Sequence, residues 1–258
     1  MSSARYARFV PRVTVLELPA TWGEPRASLE AAEAALEHGP PTDLLLLPEA
    51  SLTGYVSPDG EFDLARFAEP ADGPTAQAIA ALARRRATNI VAPLVLSEGD
   101  RRYNAMLAFD RRGEPMFTYR KRHPWFPEAW ATPGLAAAPV VDVEGLSVTI
   151  AICFDVHFLV EDAAGALDGA DLLLFPSAWV EEQDSRRSML PEIARRHRIA
   201  IANANWGPGV VRVPGQGGSS ILAADGGVRA ELATSASSTS PRVMRADAEI
   251  GVKPELTP

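Results

Sequence analysis

The chain has 258 residues, which fits one large domain or two small ones, and 47% hydrophobic with 22% charged residues is globular rather than disordered composition. A net charge of −8 leaves no basic field to draw it onto nucleic acid or an anionic membrane, and a single cysteine excludes an internal disulfide and every multi-cysteine metal site. No run approaches the roughly 18 apolar residues of a membrane span. The opening MSSARYARFVPRVTVLEL has no apolar stretch long enough for a secretory leader. The expectation is a soluble protein of the reducing cytoplasm, where a lone thiol persists unpaired.

Short apolar runs alternate with helical patterns, as in α/β proteins. Residues 12–18 read as a strand. Residues 26–38 read as a helix with Leu29, Ala32 and Leu36 on one face, stopped by Gly39-Pro40-Pro41. DLLLL (43–47) shows no polar alternation and reads as a fully buried strand. Residues 74–88 form a second predicted helix, Ile79 and Leu82 inward, with Arg84, Arg85 and Arg86 near its end, where positive charge suits the helix dipole. Strands follow at 89–96, 104–110 and 114–121, the last two joined by a hairpin signal at Arg111-Arg112-Gly113. A second hairpin, at Glu144-Gly145, joins VVDV to LSVTIAIC. A helix is predicted within 160–169, a strand at 171–177 and a basic helix at 186–198. Further strands are read at 199–205, 210–213, 219–225, 228–232 and 242–250, with a Ser/Thr-rich loop at 234–240. No internal repeat is evident.

Three strands end in a reactive side chain: DLLLL in Pro48-Glu49, MFTYRK in Lys121 and SVTIAIC in Cys153. Sites in α/β sheets gather at the carboxyl ends of strands, where loops are free to shape a pocket. A carboxylate, an ammonium and a thiol there suit an activated nucleophile. The carboxylate takes the thiol proton, and the ammonium favours the thiolate and then an oxyanion. Taken singly each has a plainer reading: a buried small hydrophobe for Cys153, a solvated loop start for Glu49, a solvated charge for Lys121.

Competing constellations are poor. There is no GxSxG elbow, and His38, His123, His157 and His197 make no HExxH pattern. Gly207, Gly209, Gly215, Gly217 and Gly218 lack a Walker lysine and read as turn glycines supplying positive φ. A papain-like pair of Cys153 with His123 or His157 rests on composition alone.

The strings around the three residues resemble the carbon–nitrogen hydrolase (nitrilase) superfamily, which carries a Glu-Lys-Cys triad. LLLLPEASLTGY is similar to its first motif, YRKRHPWFPEAW to its second and IAICFDVHF to its third. YNAM (103–106), GADLLLFPSAW (169–179) and GGSSILAADG (217–226) resemble flanking family segments in the same order, so the likeness runs from about residue 10 to about 250. The resemblance implies Glu49 as base, Lys121 as the lysine and Cys153 as nucleophile, with the backbone N–H of Phe154 and Lys121 holding the oxyanion. It also implies a second glutamate, for which Glu128 is the candidate. Phe154-Asp155 after the nucleophile resembles amidases and carbamoylases rather than true nitrilases, which tend to carry Trp-Glu.

Pocket candidates are Tyr55, Trp125, His157 and Trp179. Trp125 and Trp179 read equally as packing residues, His157 as a hydrogen-bonded loop residue, and Asp155 as a structural partner of the Cys153 turn. The fold implied is a four-layer αββα sandwich formed by residues 1–258 as one domain, assembling as a homodimer or higher homo-oligomer. The activity implied is hydrolysis of a small-molecule amide through a cysteine thioester, with no metal or organic cofactor. The alternatives are N-carbamoyl hydrolysis or nitrile hydrolysis with the same triad and, more remotely, a non-catalytic binding protein.

Overall fold

The computed structural model describes residues 10–233 and 242–253; the Ser/Thr-rich stretch 234–240 and the first nine residues lie outside them. The first half builds β1 (Arg12–Glu17), α1 (Pro25–Glu37), β2 (Leu44–Leu46), α2 (Pro74–Arg86), β3 (Asn89–Glu98), β4 (Arg101–Phe109) and β5 (Pro115–Arg120). The second half builds β6 (Val141–Val143), β7 (Leu146–Ile150), α3 (Leu159–Asp162), α4 (Ala164–Gly169), β8 (Leu172–Ser177), α5 (Arg186–His197), β9 (Ala200–Asn205), β10 (Ser220–Leu222), β11 (Val228–Glu231) and β12 (Met244–Glu249). They form two six-stranded sheets, ordered β12-β1-β2-β3-β4-β5 and β11-β10-β9-β8-β7-β6.

The two sheets share one pairing plan. In the first, β1, β2 and β3 are parallel neighbours, and β12, β4 and β5 add antiparallel. In the second, β7, β8 and β9 are parallel, and β6, β10 and β11 add antiparallel. Each sheet is thus a β-α-β-α-β unit extended by antiparallel strands, although the sequence shows no repeat.

Alternation within β2 explains the layering. Leu44 and Leu46 join Val13, Val15 and Val91 in the core that also holds Val148, Ile150, Leu172 and Leu174 of the second sheet. Leu45 and Leu47 point the other way, onto Leu29 and Ala32 of α1 and Ile79, Leu82 and Ala83 of α2. Burying each such leucine contributes about 1.5–3 kcal/mol, so β2 has no face that tolerates a polar residue. On the far side, Leu167 of α4 and Leu190 and Ala194 of α5 close the second sheet. The result is the αββα sandwich that the family resemblance implies. Among the described residues no helix is long and apolar enough to cross a membrane.

Both hairpins form. Glu144 and Gly145 take φ values of 54° and 81°, as a two-residue β-turn of this hand requires. Arg85 and Arg86, beyond suiting the α2 dipole, pair with Glu33 of α1.

Four expectations need correction. The helix expected within 160–169 is two short helices, because Ala163 between them adopts φ −140° and ψ 16°; Leu159, Ala163 and Leu167 still face inward. VVRV (210–213) is not a strand. Val211 and Val213 pack beside Tyr55 and Trp206, and Gly209 and Pro214 bracket a loop with no ladder partner. Cys153 does not end a strand: β7 stops at Ile150, and Cys153 opens a 3-10 turn over Cys153–Phe158. Of the five glycines read as turn glycines, only Gly215, Gly217 and Gly218 have positive φ. Gly209 is needed for another reason: a Cβ there would lie 1.9 Å from the Ala20 carbonyl oxygen.

Candidate active site

Glu49 stands just past β2. The backbone N–H of Leu47 still bonds the Val91 carbonyl, and turns closed on Pro48 and Ala50 then fix the carboxylate. Lys121 stands just past β5, where its N–H donates to the Asn104 carbonyl at 2.8 Å. From there a loop runs out and back, closed by the Gly134 N–H on the Lys121 carbonyl at 2.8 Å. This closure requires glycine, because a Cβ at 134 would sit 2.2 Å from the Arg120 carbonyl oxygen. The loop carries Trp125 and Glu128, which the Glu128 N–H to Trp125 carbonyl bond ties into one turn. Sequence separation is thereby converted into contact.

Lys121 Nζ lies 2.7 Å from Glu49 Oε1 and 2.7 Å from Glu128 Oε1, and all three side chains are sealed from solvent. Tyr55 donates its hydroxyl to Glu128 Oε1 at 2.7 Å. Asn104 Nδ2 donates to Glu49 Oε1 at 2.8 Å, and the Ala178 N–H donates to Glu49 Oε2 at 2.9 Å. Glu128 Oε2 is buried without a partner among the described residues.

Burial by itself would pull the Lys121 ammonium down; Glu49 and Glu128 outweigh it and hold it above its ordinary value, so the lysine is charged. Burial raises Glu128, Lys121 opposes that, and Glu49 adds to it. Burial likewise raises the Tyr55 phenol, helped by Glu128 and Glu49, which keeps it a donor.

Cys153 sits beside this cluster with φ of 46°, a left-handed conformation costing a non-glycine residue roughly 1–2 kcal/mol. Asp155 holds the turn. Its Oδ2 accepts the Ile152 N–H at 3.1 Å and the Tyr119 hydroxyl at 2.9 Å, while Oδ1 accepts the His123 N–H at 2.8 Å. Burial raises Asp155 above the usual carboxylate range against those hydrogen bonds. Asp155 is therefore placed as the structural partner of the turn. Burial pushes the Cys153 thiol up, Glu49 adds to this, and Lys121 with the Ala178 N–H opposes it. Burial thus favours the neutral thiol over the thiolate at Cys153.

A cavity of about 100 Å3 opens over the sulfur, bounded by Tyr55, Trp125, Phe154, His157 and Trp179. Ala178, Val180 and Glu181 complete its wall. It is small beside the roughly 300–1,000 Å3 of sites for drug-sized ligands. All four sequence-derived pocket candidates line it. Tyr55 does more than line it, because its hydroxyl is bonded to Glu128. Trp179 is both wall and packing residue, its ring edge-on to Phe175 and its Nε1 on Glu181. His157 packs against Phe154 and Trp179 with tilted rings, at centroid distances of 5.0 and 6.0 Å. His123 is engaged elsewhere, by Asp162 and the Phe158 ring.

Sequence reading missed Asn104, the Ala178 amide and the carboxylate of Glu181. It also missed the hydrogen-bonded bracket behind Trp179: Asn205 Oδ1 accepts the Trp179 N–H and the Ser177 hydroxyl, each at 3.0 Å. Asn104 lies inside the YNAM string, which the sequence flags without giving it a role. Among the described residues no group of three His, Cys, Asp or Glu side chains is placed to hold a metal.

Residues 17–243 match the model of the carbon–nitrogen hydrolase family. A protein of Pseudomonas protegens described as a hydrolase in the pqqF 5′ region is 30% identical over 219 residues, covering 83% of this chain and 76% of its own. The 2-oxoglutaramate amidase of Bacillus subtilis is 26% identical over 201 residues, covering 75% of each chain. Among solved structures, an amidase from Nesterenkonia sp. superposes with a TM-score of 0.77 at 28% identity, covering 96% of this chain and 94% of that one. A mutant of the Nesterenkonia sp. AN1 amidase, carrying the acetamide moiety of fluoroacetamide on its active-site cysteine, gives a TM-score of 0.77 at 27% identity, with 93% of each chain covered. With this fold and these relatives, the chain belongs to the carbon–nitrogen hydrolase family, the nitrilase superfamily, among its amidase-like members.

Proposed function

We propose that the protein hydrolyses a small primary amide through a thioester on Cys153, with Glu49 as base, Lys121 as oxyanion donor and Glu128 as the group that orients Lys121. The observation that carries this reading is the bonding of the Lys121 ammonium. It has three N–H donors, and two are taken by Glu49 and Glu128. The third is left for a substrate oxygen, in a dry site where such a donor is worth roughly 100-fold or more in rate.

The proposed steps use the groups of the site in turn. Cys153 Sγ attacks the amide carbonyl carbon as its proton passes to Glu49. The carbonyl π pair moves onto oxygen, where Lys121 and the Phe154 N–H receive it. The intermediate collapses, the C–N bond breaks, and ammonia leaves with the proton from Glu49. Water then gives a proton to Glu49 and attacks the thioester. The acid departs as the sulfur regains that proton. Asn104 and the Ala178 N–H hold Glu49 so that a lone pair remains for this traffic.

The size of the cavity favours a short acyl chain. Its wall includes no lysine or arginine, so an anionic amide such as the 2-oxoglutaramate of the Bacillus subtilis relative would find no counter-charge there. Phe154-Asp155 favours amide over nitrile, and carbon dioxide release would mark an N-carbamoyl substrate instead. Cys153→Ala is expected to abolish ammonia release from short primary amides while the unfolding transition is retained. Ammonia release at the wild-type rate by that variant contradicts the scheme.

A further inference from the structure

We infer that the site selects a primary amide whose acyl chain carries a positive charge, with Glu181 as the residue that reads that charge. The inference rests on the amidase reading above and names its substrate class.

Glu181 lines the same small cavity as Cys153 and stands at its mouth. One of its oxygens is fixed: Oε2 accepts Trp179 Nε1 at 3.1 Å, the Ser185 N–H at 3.3 Å and the Ser185 hydroxyl. These donors, Ser185 foremost, hold the carboxyl below its usual range, so it is ionised at neutral pH. The other oxygen, Oε1, has no hydrogen-bond or ion-pair partner among the described residues. A carboxylate on the cavity lining, positioned by three donors to one oxygen and with no partner on the other among the described residues, is prepared to accept from a cation.

The rest of the wall agrees. Trp125, Phe154 and Tyr55 present aromatic rings, whose faces attract ammonium and guanidinium groups, while the Trp179 ring already has the Arg186 guanidinium 5.7 Å from its centroid. His157, also in the lining, lies near enough to help lower the Glu181 carboxyl, although the two form no ion pair among the described residues. Behind the lining, the sealed cluster holds the two carboxylates of Glu49 and Glu128 and the one ammonium of Lys121. A cation entering therefore meets the Glu181 carboxylate and aromatic rings, and the lining holds no lysine or arginine to meet an anionic acyl chain. In a primary amide the leaving group is only ammonia, so the charge belongs on the acyl half.

Three amides of near-equal shape test this: butyramide, neutral; β-alaninamide, an ammonium in place of the terminal methyl; and succinamate, a carboxylate there. Ammonia release gives kcat/KM for each. The expected order is β-alaninamide above butyramide by about tenfold, with succinamate below both. In Glu181→Gln the ratio of β-alaninamide to butyramide falls to near one, and in the wild type raised salt compresses it. A neutral or anionic amide that matches the cationic one overturns the inference, as does a ratio that survives Glu181→Gln. Turnover of butyramide with a flat charge ranking removes this inference and leaves the amidase reading standing. Absence of turnover and of any adduct on Cys153 across all three removes both.

Discussion

Lys121→Met removes the ammonium while keeping most of the side-chain volume. In the wild type that ammonium lies 2.7 Å from each of two buried carboxylates. Deleting one side of a buried ion pair costs about 3–5 kcal/mol, because the charge left behind is unpaired. Glu49 keeps the Asn104 amide and the Ala178 N–H, and Glu128 keeps the Tyr55 hydroxyl, so the lower end, about 3 kcal/mol, is expected above neutral pH. The loss depends on pH with a definite sign. Burial already raises Glu128, and Lys121 is the chief influence pulling it back. Without Lys121 its folded-state pKa rises further above the unfolded value of about 4.3. The native state then binds more protons than the unfolded state, and stability falls as pH rises through the folded pKa. Urea unfolding at about pH 6 and about pH 8.5 is expected to show the smaller deficit at the lower pH. Ammonia release is expected to fall by roughly 100- to 1,000-fold, the usual cost of an oxyanion donor. A kcat within threefold of wild type, or a stability deficit that grows on acidification, refutes the reasoning.

Tyr55→Phe leaves Glu128 with Lys121 alone, since Oε2 already lacks a partner among the described residues. The expected cost is about 1.5–3 kcal/mol in chemical denaturation, with kcat/KM lower by about tenfold. A shift under about 0.5 kcal/mol would show that the hydroxyl does not hold Glu128. Asp155→Asn turns an NH2 either towards the His123 N–H or towards the Ile152 N–H and the Tyr119 hydroxyl together. It is expected to lose at least about 2 kcal/mol and to slow acylation of Cys153 by small amides, because the left-handed turn at the nucleophile loses its anchor. Unchanged acylation in a destabilised variant would confine Asp155 to stability.

The acidic, basic and thiol members of the site were legible because each follows a recognisable strand within a motif. The layers were legible through the family resemblance, with which the unbroken apolar run DLLLL agrees. What the sequence hid is non-local. Asn104 reaches Glu49 only because β4 and β5 pair with Ala105 opposite Arg120, setting Lys121 beside the Asn104 carbonyl. Ala178 acts through its backbone N–H, which no side-chain pattern reports. The alternation of VVRV reads as a strand, yet a strand needs a partner edge, and Val211 and Val213 instead pack against the cluster that holds Tyr55 and Trp206. Cys153 lies beyond its strand because Asp155 bonds back to the Ile152 N–H, turning the chain before the ladder can continue. The shared plan of the two sheets is a property of pairing and leaves no trace as repeated residues.

Intact-protein mass spectrometry after rapid mixing with a short primary amide, followed by peptide mapping, tests the central claim most directly. The account predicts a transient mass increase equal to the acyl group, located on Cys153 and absent in Cys153→Ala, with one ammonia released per adduct formed. Ammonia release with no acyl adduct at any time, or an adduct on another residue, would contradict it.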